Sequence, residues 1–238
     1  MKIAAICCTY LRPTQLGHMI RCFEKQDYPD AELIVLDDAG QYAEQEGERW
    51  RLISTTIRYP TLGEKRNAAA ALASDNVEAF AVWDDDDLYL PWALRTCVAG
   101  LDNAQWSRPS LVLHPQQDGT LVQHETGGLF HGGWAYRREA FVQVGGYPSV
   151  SMIEDRELMK LFEKASIPTA DPLESGVKPF YIYPWDTGDG WHLSGMGAHG
   201  YHRLGRVRGA KTSLVVADPP DIDLDNPAIL PGIQPRKF

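Results

Sequence analysis

The chain has no apolar run near the roughly 20 residues needed to cross a bilayer, no Cys-x-x-Cys pair, no internal repeat and no excess of basic charge. Each lack removes a class of function. Without an apolar run there is no membrane-spanning helix to expect. The start, Met1-Lys-Ile-Ala-Ala-Ile6, is like a signal peptide only on the surface, because Thr9, Tyr10 and Arg12 interrupt it too early. The expected location is therefore cytoplasmic. Four cysteines in 238 residues, two of them adjacent at Cys7 and Cys8, give neither a disulfide framework nor a zinc-thiolate site. Cys7, Cys8, Cys22 and Cys97 read as reduced residues. A net charge of −9 weighs against general affinity for nucleic acid or anionic membrane. The one basic stretch, from Arg203 to Lys211, reads as a solvated loop.

What is present is an ordinary globular composition, 44% hydrophobic and 23% charged, enough for one large α/β domain. Strand and helix patterns alternate through the first hundred residues. A strand is expected over 2–8, then a helix from Pro13 to Gln26 with Leu16, Met19, Ile20 and Phe23 at helical spacing. A second strand, Glu32-Leu-Ile-Val-Leu36, ends in Asp37-Asp38. A short helix over 41–50, a strand over 52–58, an alanine-rich helix over 63–73 and a strand over 78–83 follow. Four strand–helix units in succession imply a mostly parallel sheet with right-handed crossovers. After residue 105 the alternation fades. Hairpin-like strands over 110–114 and 120–123, a strand over 130–137, a helix over 153–164 and a strand over 180–184 are expected, then a glycine-rich loop over 186–200. The division is a nucleotide-type half, 1–103, and a variable half, 104–217, sharing one core. Residues 218–238, rich in Pro, Asp and Asn, read as an extended tail.

The densest chemical signal is Asp84-Asp-Asp-Asp87, directly after the apolar run that ends in Trp83. Adjacent carboxylates raise one another's pKa, and a divalent cation relieves the repulsion by taking their oxygens. In open α/β sheets the carboxyl ends of the strands are where ligands bind. A solvated acidic turn is the plain alternative. Against it, no Gly, Ser or Asn marks a turn, and Leu88-Tyr-Leu-Pro-Trp92 returns at once to apolar chain and opens a helix with an early Pro.

Five pieces in order resemble a family 2 glycosyltransferase of the GT-A, or nucleotide-diphospho-sugar transferase, fold. They are Ile6-Cys-Cys-Thr-Tyr-Leu-Arg-Pro13, Leu36-Asp-Asp38, Gly63-x-Lys-Arg-Asn67, Asp84-x-Asp-Asp87 followed by Pro91, and Tyr136-Arg-Arg-Glu139 with Gly145-Gly-Tyr147 and Glu154-Asp155. The resemblance covers about residues 2–200 and departs from the pattern at Cys7-Cys8. It implies a Rossmann-like, mostly parallel sheet flanked by helices, with a smaller mixed acceptor-side sheet. It also implies metal-dependent, inverting transfer of a sugar from a nucleotide sugar, a UDP-sugar by preference, to an acceptor hydroxyl. Asp38 would accept the uracil imide N–H, Tyr10 would cover the base, and Thr9 and Arg12 would join the nucleotide contacts. Lys65 and Arg66 would meet the phosphates from a helix start. Asp37 reads as a turn cap.

Asp84 and Asp86 are the expected cation carboxylates, since alternate positions of an extended segment face one side. Asp86 would coordinate directly, whereas Asp84 would bind ribose or reach the ion through water. Asp87 would cap the helix near Pro91. The resemblance gives Asp155 the role of base and Glu154 an acceptor-side role. His192 is the candidate third ligand, with His199 and His202 competing, in a site that suits Mn²⁺ or Mg²⁺. Trp134, Trp185 and Trp191 are candidates for sugar or acceptor contact, the latter two in a glycine-rich lid. The acceptor stays open among glycan, protein, small molecule and modified nucleobase. A sugar-phosphate nucleotidyltransferase is the competing enzyme class, disfavoured because the place of its glycine-rich loop holds Thr9-Tyr-Leu-Arg-Pro13. A non-catalytic nucleotide- or metal-binding module is the non-enzyme alternative.

Overall fold

The computed structural model describes residues 1–115, 121–174, 176–184 and 214–216. Its strands are β1 (Ile3–Thr9), β2 (Ala31–Asp37), β3 (Gln45–Glu46), β4 (Trp50–Ser54), β5 (Ala79–Val82), β6 (Leu88–Tyr89), β7 (Trp106–Ser107), β8 (Leu111–Pro115), β9 (Leu121–Glu125), β10 (Ala135–Arg137), β11 (Thr169–Ala170) and β12 (Tyr181–Ile182). Its α-helices are α1 (Pro13–Glu24), α2 (Leu62–Ala71), α3 (Ala93–Gly100), α4 (Arg138–Gln143) and α5 (Glu154–Lys164).

The main sheet has the order β11-β7-β10-β5-β1-β2-β4-β3, and a second sheet has the order β6-β12-β8-β9. β1 lies in parallel between β2 and β5, and β4 continues the parallel run beyond β2. β10 runs antiparallel between β5 and β7. The chain leaves β1 toward β2 and β4, then returns to build β5 on the other side. That reversal puts a switch point at the carboxyl ends of β1 and β5, the usual ligand crevice of such sheets.

Period-two alternation explains why both faces are covered. Ile3, Ala5 and Cys7 of β1, with Leu33 and Val35 of β2, pack under α1, α3 and the small sheet. Ala4 and Ile6, with Ile34 and Leu36, face α2, α4 and α5 across Phe80, Phe141, Leu158 and Phe162. A one-residue slip would exchange these two cores. Cys7 joins the first cluster, while Cys8 packs against the second. All four cysteines are free thiols. Both clusters draw on residues before and after 103.

Several expected elements are redrawn. No helix forms over 41–50; instead β3 pairs antiparallel with β4 around Gly47. The segment has only Tyr42 and Trp50 as large apolar residues, too few for a helical stripe, and both are buried in the sheet's core. The third strand ends at Ser54 rather than 58. Of residues 130–137, only Ala135–Arg137 is a strand, behind a 3-10 turn over His131–Gly133. The hairpin pairs Leu111–Pro115 with Leu121–Glu125 and joins the small sheet. Pro91 lies outside α3, whose N-cap is Trp92. The glycine-rich loop over 186–200 and the tail over 218–238 lie outside the described residues. Among the described residues no helix is long and apolar enough to cross a membrane.

Candidate active site at the strand ends

Three strands deliver polar residues to one edge. β1 ends in Thr9, β2 in Asp37 followed by Asp38, and β5 leads through Trp83 into Asp84–Asp87. Asp37 is a turn cap: its carboxylate accepts from the Ala39 and Gln41 N–H groups and from the Ser54 hydroxyl at 2.7 Å. Asp38 is almost fully buried and bridges two cations. Its Oδ1 accepts from Lys65 Nζ at 2.5 Å and pairs with Arg58, and its Oδ2 accepts from the Tyr59 N–H. Lys65 Nζ also donates to the Thr9 carbonyl, which ties α2 to β1. The Arg58 guanidinium lies 3.9 Å from the centre of the half-buried Tyr10 ring.

The aspartates after β5 fan out to different partners. Asp84 pairs with Arg66 at 2.9 Å. Asp85 accepts from the Thr9 hydroxyl at 2.8 Å and from Arg12 Nη1 at 2.7 Å. The same Arg12 nitrogen lies 2.7 Å from Asp86 Oδ2. Asp87 accepts from the Tyr181 hydroxyl at 2.7 Å, and no side chain caps α3, so the expected capping role falls away. The divergence has a local cause. Asp85 and Asp86 occupy a turn, with a weak Asp87 N–H to Asp84 carbonyl contact at 3.4 Å, so strand alternation does not apply to them. The pair sharing one positive centre is Asp85 with Asp86, not Asp84 with Asp86.

Residues with no sequence signal hold this turn in place. Trp83 stacks on Tyr89 with ring centres 3.7 Å apart. The Tyr89 hydroxyl accepts from the Asp84 N–H and donates to the Gly132 carbonyl. A side chain at Gly132 would put its Cβ 2.5 Å from Asp87 Oδ2 and 2.6 Å from the Tyr181 hydroxyl, so the turn closes only over glycine. Burial, with Asp87 nearby, pushes the Tyr181 and Tyr89 hydroxyls well above the usual tyrosine range and keeps both as proton donors.

α2 connects this edge to α5. Its N-cap Thr61 accepts from the Glu64 N–H. Gly63 permits a close approach, since a Cβ there would sit 1.9 Å from the Pro148 carbonyl. Asn67 brackets Tyr147 through its carbonyl and its N–H, both at 2.8 Å. Arg66 thereby reaches Glu154, the first residue of α5, at 3.3 Å as well as Asp84. Burial alone would lower the Arg66 pKa, but Asp84, Tyr147 and Glu154 raise it further than burial lowers it. Glu154 moves up by burial, partly offset by Arg66.

Beneath Arg66, the Tyr147 hydroxyl meets His131 Nε2 and the Tyr136 hydroxyl, each at 2.9 Å. Burial, then Arg66, lowers the His131 pKa to about 3. Asp155 is only half-buried and accepts from the Arg156 N–H at 2.7 Å.

The structure thus brings together Thr9, Arg12, Asp38, Lys65, Arg66, Asp84, Asp86 and Glu154, with Tyr10 on the rim. Trp134 is not in this group: its ring is buried against Trp106, with its N–H on the Gly128 carbonyl. Trp185, Trp191, His192, His199 and His202 lie outside the described residues. Among the described residues no three His, Cys, Asp or Glu side chains form a ready cation cage. The donor chemistry nonetheless fits a hard divalent ion, because two carboxylates already converge on one positive centre and such ions take further oxygens from phosphate and water.

A mostly parallel sheet with helices on both faces, a small second sheet and an acidic turn at the switch point make up a GT-A type fold. Residues 4–107 match the family model described as glycosyl transferase family 2. The fold is similar to that of the S. aureus TarS fragment 1–349 in complex with UDP, at 18% identity, 77% of this chain, 60% of that one and a TM-score of 0.56. It is also similar to the mannosyltransferase PcManGT from Pyrobaculum calidifontis in complex with GDP-Man and Mn²⁺, at 16% identity, 79% and 58% coverage and a TM-score of 0.55. A mutant Drosophila beta1,4-galactosyltransferase 7, in complex with manganese, UDP-Gal and xylobiose, aligns at 16% identity over 95% of this chain and 84% of its own, with a TM-score of 0.51. The chain spans about 60% of the TarS fragment's length. No curated protein matches the sequence.

Proposed function

We propose that this protein transfers a sugar from a nucleoside-diphosphate sugar, most simply a UDP-sugar, to an acceptor hydroxyl with inversion at the anomeric carbon. The observation that carries the reading is the convergence of Asp38, Lys65, Thr9, Arg12, Asp85 and Asp86 at the carboxyl ends of β1, β2 and β5. A nucleotide needs an acceptor for its imide, a surface for its base and cations for its diphosphate. Asp38 supplies the first, Tyr10 with Arg58 the second, and Arg12, Lys65 and Arg66 the third. Residues 1–103 form the nucleotide-side half in this reading, and 104–217 the acceptor-side half.

A Mn²⁺ or Mg²⁺ ion, held by Asp86 with Asp85, which converge on Arg12, and with Asp84 and His192 as further candidates, would neutralise charge on the departing diphosphate. The chain's own residues do the rest. Asp155 takes the proton from the acceptor hydroxyl as its oxygen bonds to the anomeric carbon and the bond to the diphosphate breaks. Glu154 is engaged by Arg66 and buried, so it fixes the start of α5, whereas the neighbouring Asp155 is open to an acceptor. Trp185 and Trp191 are the remaining candidates for sugar or acceptor contact.

The test is a panel of nucleotide sugars incubated with the protein and Mn²⁺, with products resolved by chromatography. Release of nucleoside diphosphate with a new glycoside supports the assignment. Pyrophosphate and a sugar phosphate would instead identify a nucleotidyltransferase, and stabilisation by nucleotide without turnover a binding module.

A further inference from the structure

Arg12, assigned above to the diphosphate with Lys65 and Arg66, is itself held between two carboxylates that follow β5. One guanidinium nitrogen lies 2.7 Å from Asp85 Oδ1 and 2.7 Å from Asp86 Oδ2, with the Arg12 side chain 11% exposed. A bidentate pair would use two nitrogens on one carboxylate. Here a single nitrogen bridges two carboxylates, as a small cation would. The backbone is bent to put it there. Leu11, just before it, has φ 58°, left-handed backbone in which a leucine is rare, and α1 begins at Pro13 with no side-chain cap. The other basic groups of the pocket are tied differently. Lys65 is anchored to the Thr9 carbonyl and Asp38, and Arg66 to Asp84 and Glu154.

We infer that Arg12 is an internal counter-ion that occupies the bridging place between Asp85 and Asp86 and is exchanged for a divalent cation only when a nucleoside diphosphate enters with it. The inference rests on the proposed donor site and names how its two ligands are coupled. A cation arriving alone competes with a positive charge already fixed on the carboxylates. A cation arriving with a diphosphate does not, because the phosphate oxygens accept the displaced guanidinium. Nucleotide and cation therefore each raise the other's affinity by the same factor, as linkage requires. The arrangement keeps the pocket from filling with metal before the donor is present. It also removes the repulsion between adjacent buried carboxylates in the free protein.

The experiment measures Mn²⁺ binding to the full chain by electron paramagnetic resonance, without and with saturating UDP, in wild type and Arg12→Gln. Wild type is expected to bind Mn²⁺ weakly alone and at least tenfold more tightly with UDP. Arg12→Gln is expected to bind Mn²⁺ alone about tenfold more tightly than wild type, with the gain from UDP reduced by a similar factor. Unchanged or weaker binding of Mn²⁺ alone by the variant, with the UDP gain intact, overturns the counter-ion role while leaving the donor site standing. Absence of Mn²⁺ binding by wild type and variant, even with UDP, overturns it together with the cation reading. Should Arg12→Gln not fold in the absence of metal, Arg12→Met, which keeps the apolar stem, carries the same expectation. A melting temperature that Mn²⁺ raises more in either variant than in wild type supports the counter-ion role without a titration, and an equal rise contradicts it.

Discussion

At the strand ends, Asp38, Asp84, Asp85, Asp86 and Asp87 each face a cation or a hydroxyl within the fold, and all but Asp84 are buried. At the start of α5, Glu154 is buried on Arg66 while the next residue, Asp155, is only half-buried. The two regions meet different demands. A nucleotide pocket gains from charges fixed before the ligand arrives, since no reorganisation is then needed when negative charge develops. A base that receives a proton from a separate acceptor must stay reachable. In the proposed reading one helix junction serves both, because Arg66 ties Asp84 to Glu154, the residue before the proposed base Asp155.

The largest expected effect tests the open side. Asp155→Asn should lower transfer by about 10²–10⁴-fold while leaving UDP affinity nearly unchanged, as measured by turnover and by calorimetry on the same preparation. Full activity in this variant would move the base to another residue. On the closed side the effect belongs to stability. Lys65→Met leaves Asp38 buried with one of its two cations, and removal of one partner of a buried pair costs about 3–5 kcal/mol. Urea unfolding should show that loss, and a loss under about 1 kcal/mol would mean the strand-end network is not rigidly built.

A smaller effect depends on pH. His131 stays neutral in the folded protein down to a pKa of about 3, against an ordinary value of 6.5, because it is buried and then because Arg66 is near. As pH falls below 6.5 the unfolded chain takes up a proton there that the folded chain refuses, so stability declines across the window from 6.5 to about 3. By pH 5 the difference is about 2 kcal/mol. His131→Gln should lose that much less than wild type between pH 7 and pH 5 in parallel urea titrations. Equal losses would place the acid sensitivity elsewhere. The smallest effect is set by Arg58, whose side chain is 49% exposed. Arg58→Ala should cost under about 1 kcal/mol in the same urea titration, although it touches the same carboxylate as Lys65.

The strand-end cluster is legible in the sequence because its pieces are local. Apolar runs that end in Asp37-Asp38 and Asp84 mark strand ends, and Lys65-Arg66 follow a glycine at a helix start. The partners of the aspartates are not legible. Asp84–Asp87 leave the strand in a turn whose shape depends on Tyr89, Tyr181 and Gly132, up to about a hundred residues away in sequence. Trp134 reads as a sugar platform by residue type alone, yet the T-shaped contact with Trp106 buries it. Residues 41–50 are expected as a short helix, but β3 within them pairs with β4 instead. The role of Asn67, which brackets the backbone of Tyr147, shows only once α2 and the chain before α5 are packed together.

In the proposed reading the strand-end pocket takes a nucleoside diphosphate through Asp38 and a divalent cation through Asp86. Calorimetric titration of UDP into the protein, with Mn²⁺ and again with excess chelator, tests this most directly. Saturable binding is expected with Mn²⁺, at least tenfold weaker binding with chelator, and an Asp86→Asn variant that binds UDP equally weakly under both conditions. UDP affinity that is the same with and without the cation in the wild-type protein would contradict it.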